Sequence, residues 1–261
     1  MSDMASGFIW YELMTSDPDA AIPFYEKVVG WRAEVMTIPE MGDYRYTILH
    51  AGERGVGGLA GIPGECGEEM RPGWYGYVHV PDTDAAAAAV AAAGGAVLMP
   101  PDDIPTVGRF AMVADPGGAP FFLLTPLPRE DAPPPLERMA PGNIGWHELH
   151  AADGDAAFAF YQEQFGWSQF SAMDMGPMGT YRLWSADGGE AVGGMMTKMA
   201  RTEHPVWLFY FVVDGVEAGA ARIAEAGGQV INGPMEVPDG SWIVQGIDPQ
   251  GAMFALVSER R

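Results

Sequence analysis

Two short segments of this 261-residue chain concentrate the side chains that could do chemistry. Trp10-Tyr11-Glu12-Leu13-Met14 recurs 136 residues later as Trp146-His147-Glu148-Leu149-His150. Each copy sets one carboxylate among large apolar neighbours, where desolvation raises its pKa and suits it to take or give a proton near neutrality. Glu12 and Glu148 are therefore the candidate general bases or acids. In an extended segment residues i and i+2 share a face, so Glu148 and His150 point one way and His147 the other, and His150 joins the catalytic candidates. Met14 occupies the matching place in the first copy. A Glu-His pair offers two donors where a metal site wants three or four, so the segment reads as a strand and no metal ligand is assigned. No Ser-His-Asp order, phosphate loop or nucleotide fingerprint has its required strand-to-helix context. Lys27 and Lys198 sit in polar settings unsuited to a Schiff base. His50, His79 and His204 are isolated and read as surface or packed histidines.

The elements that must hold these residues follow from the same repeat. Asp17, Phe24-Tyr25 and Gly30-Trp31 recur as Asp153, Phe160-Tyr161 and Gly166-Trp167. Tyr44-Arg45 recurs as Tyr181-Arg182, Val56-Gly57-Gly58 as Val192-Gly193-Gly194, and Asp115-Pro116 through Gly118 as Asp248-Pro249 through Gly251. Four segments run from an aspartate into a helix and stop at a glycine: 17–30, 82–94, 153–166 and 214–227. Aspartate caps and glycine stops are the expected punctuation of helices. Short strands bounded by glycine follow each one, giving a βαβββ module four times. The predicted organisation is a first domain over 1–127 (modules about 8–63 and 72–127), a proline-rich linker over 128–141, and a second domain over 142–261 (modules about 143–199 and 204–259).

Four modules paired two by two, with the Phe-Tyr…Gly-Trp helix and the Asp-Pro-x-Gly hairpin, resemble the vicinal oxygen chelate superfamily of glyoxalases, bleomycin-resistance proteins and extradiol dioxygenases. The likeness is greatest to the two-domain, glyoxalase-like actinobacterial hydroxylase and secreted-antigen group, whose first strands also read Trp-x-Glu-Leu. The resemblance implies an α+β fold: two tandem domains, each a curved, cup-like mixed sheet with helices outside. It also implies a divalent ion held by His, Gln or Glu at set strand positions. Here those positions carry Trp10 and Trp146, Tyr75 and Trp207, Leu59 and Met195, Phe122 and Ala255. None is a metal ligand, so the expectation is a cup that has lost its ion and works without a cofactor, a divalent metal bound off this pattern being the alternative. If Leu13 and Leu149 face the helices, the cups are lined by Trp10, Met14, Tyr75, Phe122, Trp146 and Trp207. Tyr44 and Tyr181 are the expected hydrogen-bond partners of the glutamates, and Arg45 and Arg182 the candidate counter-charges.

Composition narrows the partners. With 35 acidic and 14 basic residues the formal charge is −21, and 48% of residues are hydrophobic. Such a field repels phosphate backbones and anionic headgroups, so neither nucleic acid nor membrane is an expected partner. There is no run of roughly 20 apolar residues and no basic leader at the start. The single cysteine, Cys66, lies between carboxylates that disfavour a thiolate and reads as an inert loop thiol in a cytoplasmic protein. The functional reading is a glyoxalase- or bleomycin-resistance-like protein that binds a small neutral or cationic, partly aromatic molecule in a metal-free cup, working as a monomer through pairing of its two domains. The alternatives are a lyase, isomerase or hydroxylase-type enzyme using Glu12 or Glu148, and an acidic protein-interaction module.

Overall fold

A computed structural model describes residues 6–39, 42, 44–62, 70–128, 133–200 and 202–261. The first half supplies β1 (Phe8–Thr15), α1 (Pro18–Val29), β2 (Arg32–Ile38), β3 (Tyr44–Ala51), β4 (Arg54–Gly61), β5 (Gly73–His79), α2 (Thr83–Ala92), β6 (Ala96–Ile104), β7 (Gly108–Ala114) and β8 (Pro120–Pro126). The second repeats the order with β9 (Ile144–Ala151), α3 (Gly154–Phe165), β10 (Ser168–Asp174), β11 (Thr180–Ser185), β12 (Gly193–Thr197), β13 (Val206–Val212), α4 (Val216–Glu225), β14 (Gln229–Glu236), β15 (Trp242–Ile247) and β16 (Met253–Ser258). Two curved, open mixed sheets result, ordered β2-β3-β4-β1-β5-β8-β7-β6 and β10-β11-β12-β9-β13-β16-β15-β14. The α+β fold and the duplicated βαβββ modules are as expected. The described part of the linker, residues 128 and 133–141, carries no helix or strand, and Cys66 lies outside the described residues.

Local chemistry explains the helix starts and stops. Asp17, Asp82 and Asp153 each accept backbone N–H groups of the first turn, at 2.9–3.1 Å. Gly30 and Gly166 close α1 and α3 in the left-handed region that a side chain resists, and their N–H groups return to Glu26 and Gln162. The fourth helix departs from the expectation: its cap is Gly215 rather than Asp214, and no side chain caps it.

Packing groups the chain into two compact units, one of Met1–Trp10, Tyr75–Glu130 and His147–Trp207, the other of Tyr11–Trp74, Asp131–Trp146 and Leu208–Arg261. The core of the first is a stack in which Trp167 lies flat on Trp184 (3.8 Å) and on Tyr161 (5.0 Å), with Trp207 edge-on. The core of the second gathers Tyr25, Trp31, Trp74, Phe211 and Phe254, with Phe211 edge-on to both tryptophans at 4.7–4.9 Å. Each unit therefore draws its core from both halves of the sequence.

Candidate functional site

Glu12 and its partner are placed by three adjacent strands of the second unit. On β1, Glu12 pairs in parallel with Gly58 of β4, and Gly58 pairs with Ile48 of antiparallel β3. Tyr46 stands two residues before Ile48, hence on the same face, and its ring reaches across β4 so that its hydroxyl donates to Glu12 Oε2 at 2.8 Å. The reach requires a residue without a side chain between them: a Cβ on Gly58 would overlap the Tyr46 hydroxyl. Gly57 faces the other way, where a Cβ would lie 2.8 Å from the Tyr11 carbonyl oxygen and 3.7 Å from the Trp74 ring. The repeated glycine pair thus serves two faces, one for the tyrosine and one for the aromatic core beside α1.

The second copy, in the first unit, has the same construction. Glu148 of β9 pairs with Gly194 of β12, which pairs with Leu183 of β11. Tyr181, two residues before Leu183, donates to Glu148 Oε2 at 2.8 Å, again across a position where a Cβ would overlap its hydroxyl. Glu12 and Glu148 are both buried, 7% and 9% exposed. Tyr181 was expected at the glutamate; in the first half the donor is Tyr46, two residues beyond the expected Tyr44. The Tyr-Arg match misaligns the halves by two positions, and the signal that would have corrected it is the glycine directly opposite each glutamate. Tyr44 shares the face of Tyr46, and its hydroxyl is pushed up to about 12, first by burial and then by the Glu12 charge, so it stays a neutral donor. The arginines are not counter-charges to the glutamates: Arg45 pairs with Asp19 and Arg182 with Asp155, each at 2.6 Å in the first turn of a helix.

His150 makes the copies chemically different. Its Nε2 lies 2.8 Å from Glu148 Oε1, yet the approach lacks hydrogen-bond geometry, and both ring nitrogens are buried without a hydrogen-bond partner. Met14, its counterpart, is equally buried. His147 points to the other face, as expected. Its Nδ1 is 2.7 Å from the Val192 carbonyl oxygen, and its ring stacks on Phe8 at 5.1 Å. Burial lowers its pKa to about 4, with the Val192 carbonyl pulling the other way, so it is a neutral structural residue.

The expected apolar lining separates into residues the structure brings together and one that it does not. In the first unit Tyr75 and Phe122 meet edge-on at 6.1 Å. Two unforeseen residues join them: Tyr77, stacked on Phe122 at 4.3 Å, and Phe110 at 6.1 Å. In the second unit Trp146 packs with Met139 against Leu208, Tyr210, Val212, Ala255 and Val257. Beside that cluster an unforeseen polar chain runs from Asn232 through Gln245 to the Tyr210 hydroxyl, with bonds of 3.1 and 2.8 Å. Trp10 is half-buried. Trp207 belongs elsewhere. Its Nε1 donates to the hydroxyl of Tyr161 on α3, as Trp74 Nε1 does to Tyr25 on α1, so Trp207 is the counterpart of Trp74, not of Tyr75, and stands on the helix side.

The donor set does not fit a divalent ion. Among the described residues no three His, Cys, Asp or Glu side chains gather, and Glu148 with His150 falls short of the three or four protein ligands such an ion takes. What each copy presents is a buried carboxylate with one oxygen held by a tyrosine hydroxyl reaching over a glycine.

Known proteins share this architecture. CFP32 of Mycobacterium tuberculosis, which bears the provisional name of a glyoxylase, is 34% identical over 248 residues, covering 95% of this chain and 93% of its own. The anthracycline biosynthesis protein DnrV of Streptomyces peucetius is 31% identical over 263 residues, covering 96% and 92%. Among solved structures the Mn(II)-bound glyoxalase from Novosphingobium aromaticivorans superposes with a TM-score of 0.65 at 18% identity, over 98% of this chain and 83% of that one. The 2,3-dioxygenase LapB from Pseudomonas sp. KL28 gives 0.65 at 13% identity, over 98% and 92%. These structural likenesses are of fold alone. The sequence itself matches the family twice, over residues 7–122 and 143–256, and with the fold and the relatives this establishes that the chain belongs to the Glyoxalase/Bleomycin resistance protein/Dioxygenase superfamily.

Proposed function

We propose that the chain binds a small neutral or cationic, partly aromatic molecule, using the buried glutamate–tyrosine pairs as polar contacts and the neighbouring aromatic side chains as apolar ones, without a metal ion. The observation that carries this reading is the recurrence of one device, Glu opposite Gly with Tyr reaching across, in both halves. Few polar groups in apolar surroundings are what small-molecule sites are made of. The net charge of −21 favours a neutral or cationic ligand over an anion. The relatives named for anthracycline biosynthesis agree with a planar aromatic ligand.

The test is titration of the purified protein with neutral and cationic aromatic compounds, read by tryptophan fluorescence, together with metal analysis. Saturable binding that weakens in Glu12→Gln or Glu148→Gln is expected. Stoichiometric zinc, nickel or iron, stripped by chelator with loss of binding, would remove the metal-free reading. Binding unchanged in both variants would remove the glutamates from it. A second reading, an enzyme of lyase or isomerase type, is favoured by one observation, the approach of His150 to Glu148.

A further inference from the structure

Strand register exposes a difference between the two copies on the face turned away from the glutamates. Thr47 of β3 lies opposite Leu59 of β4, next to the pair of Ile48 with Gly58. Arg182 of β11 lies opposite Met195 of β12, next to the pair of Leu183 with Gly194. Thr47 and Arg182 are therefore counterparts, and both point away from the tyrosine beside them, because neighbouring strand residues alternate. In the first unit the Arg182 side chain runs to the start of α3. Its Nε and Nη2 donate to Asp155 Oδ1 at 2.9 and 2.6 Å, and its Nη1 donates to Gln169 Oε1 at 2.8 Å. In the second unit a threonine is too short for that reach. Arg45, two residues earlier on the same face and half-exposed, makes the ion pair with Asp19, the counterpart of Asp155, at 2.6 Å. What remains is a cavity of about 240 Å³, lined by Pro18 and Asp19 of α1, Tyr44, Arg45 and Thr47 of β3, and Leu59 and Gly61 of β4. Leu59 and Thr47 are 1% and 2% exposed, and the Thr47 hydroxyl has no hydrogen-bond partner among the described residues.

We propose that this cavity binds a small alkylguanidinium, whose guanidinium takes the place that Arg182 fills in the other copy, donating to Asp19 and to Thr47 Oγ1, while its alkyl stem lies on Leu59 and Pro18. The volume is below the roughly 300–1,000 Å³ of sites for drug-sized ligands, so the occupant is small. A planar fork of N–H donors matches a carboxylate, and Arg45 engages only Oδ1 of Asp19, which leaves Oδ2 for the ligand. A buried hydroxyl without a partner is costly, and a donor from the ligand offsets that cost. The net charge of −21 draws a cation towards the chain and resists an anion. Arg45 opposes the charge of the ligand, but its pair with Asp19 is solvent-exposed, and exposed ion pairs are weak enough to rearrange. A carboxylate ligand would exchange these roles, with Arg45 holding it and Asp19 opposing it.

The experiment is titration of the full chain with n-butylguanidinium, n-butylammonium and butyrate, followed by the methyl NMR signals of Leu59 and Ile48. Butylguanidinium is expected to give saturable shifts at Leu59, with butylammonium about tenfold weaker because it lacks the planar fork, and butyrate without effect. Thr47→Arg copies the second-half residue and fills the cavity, so it should weaken binding by about tenfold or more, as should Asp19→Asn, which removes the carboxylate charge. Arg45→Ala removes the competing cation and should tighten binding severalfold. Thr47→Val keeps the shape of the side chain and loses only the hydroxyl, so it tests the hydrogen bond even where Thr47→Arg disturbs folding, and it should weaken binding by about threefold or more. Urea midpoints by tryptophan fluorescence identify the variants that fold as wild type. Absence of saturable shifts at Leu59, or undiminished binding in folded Thr47→Arg and Thr47→Val, would overturn the proposal. So would tighter binding of butyrate that is lost in Arg45→Ala, which marks an anion site. Shifts at Ile48, beside Glu12 on the opposite face, with none at Leu59 would place the cation at the glutamate–tyrosine pair and overturn the proposal while leaving the binding reading above intact.

Discussion

The hydroxyl of Tyr25, in the first helix, donates to Asp248 Oδ2, in the last hairpin turn, at 3.0 Å across 223 residues of chain. The first unit repeats the bond with the halves exchanged: Tyr161 of α3 donates to Asp115 of the turn before β8 at 3.3 Å. Each tyrosine also accepts from a tryptophan, Trp74 or Trp207, at 2.9–3.0 Å, and each aspartate uses its other oxygen to hold its own turn. The two most conspicuous repeated motifs, Phe-Tyr…Gly-Trp and Asp-Pro-x-Gly, are therefore partners across the duplication. Burial, with the nearby carboxylate charge, holds both tyrosine hydroxyls well above their usual range, so they remain donors. Tyr25→Phe leaves the buried indole N–H and one carboxylate oxygen unsatisfied and should cost about 1–3 kcal/mol. Urea unfolding measures this, and Tyr161→Phe should lose a similar amount in the other unit.

The glycines opposite the glutamates should be intolerant for a reason distinct from backbone freedom. A methyl group at Gly58 or Gly194 takes the space of a tyrosine hydroxyl, so Gly58→Ala and Gly194→Ala should break the Tyr46–Glu12 and Tyr181–Glu148 bonds. Ligand titration should show weakened binding in each variant. Pairing Gly58→Ala with Tyr46→Phe should add little further loss, since both remove one interaction.

The tryptophans of the expected lining should separate by assay. Trp207 is 2% exposed and lies in an aromatic core, so Trp207→Ala should destabilise by roughly 3–5 kcal/mol. Trp146 is half-buried against the Leu208–Val257 cluster, and Trp146→Ala should cost less stability and alter ligand affinity more. Comparison of urea midpoints with binding constants decides it.

Acid sensitivity should carry the signature of His147. Its pKa is about 4 in the folded chain against an ordinary 6.5, so between those values the unfolded chain binds a proton that the folded chain refuses. Stability therefore falls as pH drops from 6.5 towards 4, by at most about 1.4 kcal/mol per pH unit. Asp115 and Asp248 act in the opposite sense. Burial raises both, so each folded carboxylate takes up its proton at a higher pH than its unfolded form and adds stability on acidification. The difference between wild type and His147→Gln isolates the histidine: the acid limb of unfolding free energy against pH should be shallower in the variant.

Much of the site was legible from residue types because strand alternation is a local rule. It placed Glu148 and His150 on one face and His147 on the other, and the structure has them so. Asp17, Asp82 and Asp153 announced helices for the same reason, since a cap bonds within its own first turn. Where the reading slipped, the missing information was register. Choosing Tyr46 over Tyr44 required knowing which residue of β3 lies across from Gly58, and separating Trp207 from the lining required knowing that its match is Trp74.

The amino-acid sequence alone determined the duplication, the βαβββ modules, the superfamily resemblance and the buried glutamates, because each is written in short-range spacing and periodicity. Only the tertiary structure decided that a tyrosine reaches each glutamate over a glycine, that His150 lies against Glu148 without a hydrogen-bond partner, and that helix tyrosines of one half hold turn aspartates of the other. Those contacts depend on strand register and on packing between residues far apart in the chain, and no local pattern of residue types encodes either.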